Sequence, residues 1–394
     1  MDKLMMVLGI RPDVIRASLI IQQLRDALGS RFVFVWSGQH YSRNMKDVFF
    51  RQLDVPGPDY ELSIETVTEV NFIGQLIPEV SKLLEIEQPS ICCFLGDTNT
   101  VLGSLACAAS NVPIAHIEGC MRSYDWRMPE EKYRTVIDHL SDVIYAYLPN
   151  YKQQGLAEGL DSRNIIVTGN PIVDVLEHYF RSGKIRLSPS DLEAFYAEHH
   201  LKTKSYVLMT AHRRENVENY EALSQILQLA ENTQMSVIFP ASYRTQRAIR
   251  RLGLTIPANV RTVDPIGYVE FLELLSSSQY VLTDSGTVVE EAAVLGIPSV
   301  QMRASTERPE VYECYASVKF DPHSNLAREE HRRLLSKVES YCDTTWTHGL
   351  GDGQASSRIV EDLISRVDGL LPTRGHLAAG SGKPYQRNWG TYSD

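Results

Sequence analysis

Short apolar runs rich in β-branched residues alternate with longer segments of helical periodicity along most of the chain. That alternation predicts parallel sheets with helices on both faces. The first series of runs is Leu4–Leu8, Phe32–Trp36, Ile91–Leu95, Ile114–His116, Val143–Tyr147 and Ile165–Thr168, with helices expected over Pro12–Leu28 and Thr98–Ser110. A second series starts near Ser205: Tyr206–Thr210, Val237–Phe239, Val260–Val263, Tyr280–Thr283 and Pro298–Met302. Between them, Asn170–Leu201 reads as helical and polar, a hinge region. A further helix is expected over Ser357–Leu371, before a tail rich in Gly, Pro and Ser. The restart of the pattern divides the chain into two doubly wound α/β domains, 1–170 and 171–356.

Composition narrows the class. A chain of 394 residues exceeds one ordinary core, which agrees with two domains. With 43% hydrophobic and 22% charged residues it reads as a folded globular enzyme. The formal net charge of −10 argues against nucleic acid or an acidic membrane as main partner. Runs such as Leu4–Ile10 are far shorter than the ~20 residues of a membrane helix, and the N-terminus has no secretory pattern. The six cysteines form no CxxC pair and read as core thiols of a cytoplasmic protein.

Two doubly wound domains bind ligands at the carboxyl ends of their strands, so residues following strands carry the candidate chemistry. Gly9-Ile10-Arg11-Pro12-Asp13 follows the first run. Arg11 there is either a solvated residue at a helix start or a bidentate grip on a diphosphate. GxGxxG is absent at this point, and the glycine-rich run at 349–353 follows no strand. Asp97, in Gly96-Asp97-Thr98-Asn99, is an N-cap or a proton-handling carboxylate. Glu118 ends an apolar strand and Glu130 opens a helix after Pro129. Asp97, Glu118 and Glu130 project from one sheet edge, where mutual repulsion raises at least one pKa and suits acid–base work. His212, in Thr210-Ala211-His212-Arg213-Arg214, is either a core histidine or a proton or anion handler. Ser285, Gly286 and Thr287 open a helix that is either simply capped or a phosphate site, and Glu291 lies one turn in.

In order along the chain, GIRPDVIR, SGQHYSRNMKDVFF, GDTNT, HIEGCMRSYDWRMPEEKYR, DHLSD, VTGNPIVDVL, TAHRRENV, DSGTVVEEAAVLGIPSVQMR and TERPE resemble the non-hydrolysing UDP-N-acetylglucosamine 2-epimerase family, from Met5 to about Asp321. The resemblance implies a glycosyltransferase-B-like pair of Rossmann-like domains, the second binding UDP, with a C-terminal helix and tail (357–394) joining the first. It implies elimination of UDP across C1–C2 of the sugar and re-addition with C2 inverted, most directly UDP-GlcNAc to UDP-ManNAc. No NAD and no metal are expected. Asp97, Glu118, Glu130 and His212 match the family's catalytic positions. Arg11, Arg16, Arg122, Arg134, Phe271, Ser285, Gly286, Thr287, Glu291, Arg308 and Glu310 match its substrate-binding ones. Among these, Phe271 falls on the uracil side, Glu291 on the ribose, and Arg308 and Glu310 on the sugar. A homodimer is expected.

Several positions depart from the family pattern. The usual Gly-Thr-Arg-Pro-Glu is Gly-Ile-Arg-Pro-Asp, Glu-Ala-Gly-Leu-Arg is Glu-Gly-Cys-Met-Arg, and Asp-Ser-Gly-Gly is Asp-Ser-Gly-Thr. Ser242 stands where many bacterial members carry a histidine of a second, activating nucleotide site, so strong activation is not expected although Gln39 and His40 survive. DSGT and YDWRMPEE resemble a capsule and O-antigen branch acting on modified UDP-HexNAc, such as 6-deoxy sugars. Uronates and UDP-glucose are further alternatives. Readings from other classes are a glycosyltransferase of the same fold, a hydrolysing epimerase and a non-catalytic UDP-sugar sensor.

Overall fold

The structure, a computed structural model, describes residues 2–38, 50–64 and 68–371. Gln39, His40 and most of the motif at 37–50 lie outside the described residues, as does the tail with Tyr385, Trp389 and Tyr392.

The first series of runs forms a seven-stranded sheet from β1 (Leu4–Leu8), β2 (Phe32–Trp36), β3 (Tyr60–Glu61), β4 (Ile91–Leu95), β5 (Ile114–Ile117), β6 (Val143–Ala146) and β7 (Ile165–Val167). Its strand order is β3-β2-β1-β4-β5-β6-β7. The second forms a six-stranded sheet from β8 (Tyr206–Thr210), β9 (Ser236–Pro240), β10 (Val260–Val263), β11 (Tyr280–Thr283), β12 (Ser299–Met302) and β13 (Ser317–Phe320), in the order β10-β9-β8-β11-β12-β13. Neighbouring strands are parallel in both sheets. β1, β2 and β4 are buried at every position, which is why they read as unbroken apolar runs rather than alternating ones.

The differences from the sequence reading have local causes. β3 is only two residues long, and the polar Ser317-Val318-Lys319-Phe320 of β13 pairs on one side only, with Lys319 facing outward. The helix expected over 98–110 is a 3-10 turn, Asn99–Gly103, followed by a helix at Ser104–Ala109. Asn and Thr favour local side-chain bonding over regular helix, and Gly103 packs so closely that a Cβ would sit 3.2 Å from Val80. Asn170–Leu201 is not one polar helix. It comprises Pro171–Val175, a π-helical turn Leu176–Arg181 and a separate helix Pro189–His199. Only the last is without buried residues, whereas Ile172, Val175, Leu176 and Phe180 are core.

The largest apolar cluster unites strands of the first sheet, the helix Arg11–Leu28 and residues of the second half, including Tyr268, Leu272, Val289 and Val311. It also contains Ile359, Val360, Leu363 and Val367 from the helix Ala355–Val367, which packs on Arg11–Leu28. Asp174 fixes the start of that returning helix by accepting the amides of Ala355 (3.3 Å) and Ser356 (2.7 Å). Tyr145 of β6 donates to Asp362 on it at 2.7 Å. Among the described residues no helix is long and apolar enough to cross a membrane.

The strand order reverses at β1/β4 in one sheet and at β8/β11 in the other. Those are the points where a doubly wound sheet opens a crevice beyond its carboxyl edge. Asp97 follows β4, His212 follows β8 and Ser285 follows β11.

Candidate active site

A cleft of about 920 Å³ runs between the two carboxyl edges, with Asp97, Glu130, His212, Ser285, Gly286, Thr287, Arg16 and Arg308 among its lining residues. Glu118, 5% exposed, lies behind this lining, against Arg16 and Arg308, which are part of it. Its Oε1 accepts from Arg308 Nη2 at 2.6 Å, its Oε2 is paired with Arg16, and the Tyr147 hydroxyl lies 3.4 Å from Oε2. The bond to Arg308 joins the two halves of the chain. Glu118 is therefore held between two guanidiniums, and the expected crowding of three free carboxylates applies only to Asp97 and Glu130.

Asp97 is not a helix cap. It is paired with Arg134, whose other nitrogen lies 3.1 Å from Glu131. Burial opposes ionisation of Asp97, but Arg134, Arg308 and Arg213 outweigh both burial and Glu307, and its carboxyl is held below the usual range. Glu130 goes the other way: burial, and then the charge of Asp97, push it up. Two carboxyls lining one cleft with pKa values moved apart have what an acid–base pair requires.

On the other side of the cleft, β8 and β11 meet at Thr210 and Thr283, whose hydroxyls lie 2.6 Å apart. The fully buried Asp284 accepts the amides of His212 (3.0 Å) and Arg213 (2.9 Å) and shapes the His212 loop. His212 is not a core histidine: its side chain is 52% exposed, with Nδ1 3.2 Å from Asp284. Ser285 caps the helix Gly286–Leu295, its hydroxyl accepting from the Val288 amide at 3.4 Å. A Cβ at Gly286 would lie 2.6 Å from Arg308 Nη1, so only glycine admits the arginine here.

Arg308 is the hub. Besides Glu118 it binds Glu290 (2.8 Å) and Glu307, all nearly inaccessible. Glu290 also accepts from Asn170 at 2.9 Å, a second tie between the halves. Glu310 accepts from Tyr151 at 2.6 Å, a third. Burial lifts Glu310 to about 7 and Glu291 to about 8, each against a tyrosine hydrogen bond. In Glu291 that bond comes from Tyr268 at 2.8 Å.

The remaining candidates are spread more widely. Arg11 lies within electrostatic range of Glu291 and Tyr268. Phe271 packs at the edge of an apolar cluster under β8 and β11. Arg122 turns away from the cleft: it grips Asp138 (2.7 Å) and Glu158 (2.6 Å) and holds the turn after β5. Sequence reasoning missed Asp284, Glu290, Glu307 and Arg303. The Asp of DSGT and the first Glu of TERPE stood inside quoted motifs, but their work is on neighbouring backbone and guanidiniums, which spacing does not reveal.

Comparison with known proteins gives this arrangement its context. Residues 22–364 match the sequence model of the family described as UDP-N-acetylglucosamine 2-epimerase. A UDP-N-acetylglucosamine 2-epimerase of Methanococcus maripaludis is 33% identical over 375 residues, 92% of this chain and 98% of that protein. The UDP-2,3-diacetamido-2,3-dideoxy-D-glucuronate 2-epimerase of Pseudomonas aeruginosa is 33% identical over 369 residues, 92% and 99% of the two chains. The crystal structure of Methanocaldococcus jannaschii UDP-GlcNAc 2-epimerase, in complex with UDP-GlcNAc and UDP, superposes with a TM-score of 0.82 at 33% identity, covering 92% of this chain and 99% of that one. With two parallel α/β sheets and the carboxylate-lined cleft between them, the chain belongs to the UDP-N-acetylglucosamine 2-epimerase family and is a UDP-sugar 2-epimerase, an isomerase.

Proposed function

We propose that the chain epimerises a UDP-N-acetylhexosamine at C2 without net hydrolysis, interconverting UDP-GlcNAc and UDP-ManNAc. The observation that carries this is the pair of carboxyls lining one cleft: Asp97 kept ionised by arginines, Glu130 kept protonated to higher pH by burial and by Asp97. C2–H beside no carbonyl is weakly acidic, so its proton leaves only as the C1–O bond to UDP breaks. The C2–H electron pair becomes the C1–C2 double bond of a glycal, and the C1–O pair leaves with UDP. Re-addition reverses both steps, with the proton arriving on the opposite face of C2. In this reading Asp97 takes the proton and Glu130 supplies it in one direction, and they exchange roles in the other. Glu118 completes the set between Arg16 and Arg308. His212 assists the departing diphosphate, Arg11 with Ser285, Gly286 and Thr287 holds it, Glu291 takes the ribose and Phe271 the uracil side. Neither a nicotinamide nor a metal enters the scheme.

The test is NMR of the purified protein with UDP-GlcNAc in deuterated water. Deuterium should enter C2 of both epimers without an acceptor sugar, and Asp97→Asn and Glu130→Gln should each slow that exchange by ~10²-fold or more. Absence of C2 exchange with every UDP-HexNAc would sink the reading. A uronate is the second candidate substrate, supported by the name of the Pseudomonas aeruginosa relative and by Arg213, Arg214 and Arg244 in the cleft lining. Comparing kcat/KM across UDP-GlcNAc, its 6-deoxy and uronate analogues and UDP-glucose decides between them.

A further inference from the structure

His116 in β5 has no exposed surface and is not among the groups of the proposed reaction. Its Nδ1 lies 2.7 Å from Asp138 Oδ1 and its Nε2 lies 2.8 Å from the carbonyl oxygen of Gly96. A carbonyl oxygen only accepts. Asp138 also acts as an acceptor throughout: its Oδ2 takes a hydrogen bond from Arg122 at 2.7 Å and one from the Cys120 amide at 3.0 Å. Burial opposes its ionisation, but His116 and Arg122 hold the carboxyl below the usual range. Both ring nitrogens of His116 thus face acceptor oxygens, an arrangement that an imidazolium, donating from both, satisfies. With His116 in that form, Glu158, Arg122, Asp138 and His116 make a chain of alternating charge with no net sum, which is how a buried charge is tolerated.

The chain of charges touches the catalytic edge at three places. The Gly96 carbonyl immediately precedes Asp97, His116 is two residues before Glu118, and Cys120 is two after it. Glu118 and Cys120 both adopt left-handed backbone, with φ of 77° and 64°. Such conformations are strained for residues with a side chain and persist where the surroundings over-determine them. Gly119 between them has no room for a side chain: a Cβ would lie 2.1 Å from Ile144 and 2.9 Å from Asp138 Oδ1. The turn bearing Glu118 is thus pressed onto the His116–Asp138 pair.

We propose that His116 is a positioning residue, an imidazolium clamped between the Gly96 carbonyl and Asp138 that fixes Asp97 and Glu118 relative to each other. This rests on the reading of Asp97 and Glu118 as catalytic groups. Two substitutions separate its bonds. His116→Gln retains a donor near the Nε2 position, toward Gly96. His116→Asn retains one near Nδ1, toward Asp138. Neither carries the charge. Each should lower kcat at least tenfold while KM and the affinity for UDP stay within twofold, because the proposed nucleotide contacts lie on the other sheet, apart from Arg11 after β1. In parallel, nitrogen-15 NMR of histidine-labelled unsubstituted protein at pH 8 should show one ring with both nitrogens protonated, absent from His116→Gln. A neutral His116 ring at pH 8, kcat within twofold of the parent, or UDP affinity falling in step with kcat overturns the proposal. An unsubstituted protein that epimerises no UDP-HexNAc would instead overturn the functional reading, while the NMR result still decides the charge on His116.

Discussion

Asp13 is a carboxyl that the reaction scheme leaves unused, 1% exposed at the start of the helix Arg11–Leu28. Its Oδ2 accepts the Ile10 amide at 3.2 Å, and its Oδ1 has no hydrogen-bond partner among the described residues. Burial raises its pKa to about 7, against the attraction of Arg16, and Asp97 pushes the same way as burial. The folded protein therefore keeps this proton up to about pH 7, whereas the unfolded chain releases it near the ordinary value of 3.8. Folding then binds a proton, so the contribution to stability is full at low pH and is lost as pH rises through the window between those values. Asp13→Asn removes the ionisation. Its melting temperature relative to the parent should rise from pH 5 to pH 8 in differential scanning calorimetry, and an offset independent of pH would refute this. At this scale the sequence was legible where a residue's work follows from its place after a strand, as for Asp97, His212 and Ser285. It was not legible where the work depends on a distant partner. Nothing near Arg122 in the chain indicates that Asp138 and Glu158 will hold it, or that Arg308 will gather Glu118, Glu290 and Glu307.

The helix Tyr243–Arg251 shows how an element can absorb a departure from a family pattern. Ser242 is its N-cap: the hydroxyl accepts the Thr245 amide at 3.2 Å and lies 2.8 Å from the Thr245 hydroxyl. With that oxygen occupied, position 242 serves the helix start. Ser242→Ala should cost about 1 kcal/mol in urea denaturation. Rate against UDP-sugar concentration should be hyperbolic in both proteins, and a sigmoidal curve in the parent would contradict the reading of this position. Among elements, long buried strands were legible because burial on both faces leaves an unbroken apolar run. β13 and the 3-10 turn Asn99–Gly103 were not, since an edge strand needs only one apolar face and a tight turn is set by what packs on Gly103.

At the scale of the molecule, the returning helix Ala355–Val367 belongs to the first sheet by packing and to the end of the chain by sequence. Leu363 is completely buried in the shared core. Leu363→Ala should cost ~2–5 kcal/mol. Hydrogen exchange should show faster opening of amides in β1 and β2 than in β8 and β11, and equal acceleration in both sheets would count against a core centred on the first.

The same return has a consequence for how the protein is made. A chain emerging from the ribosome completes β7 at Val167 about 200 residues before Val367, the last residue of the returning helix. At ~5–20 residues per second that interval is about 10–40 s. During it the apolar face of the helix Arg11–Leu28 that Ile359, Val360 and Leu363 will cover stays open to water. The first sheet is translated first, yet it receives its final cover only after the whole second sheet has been made.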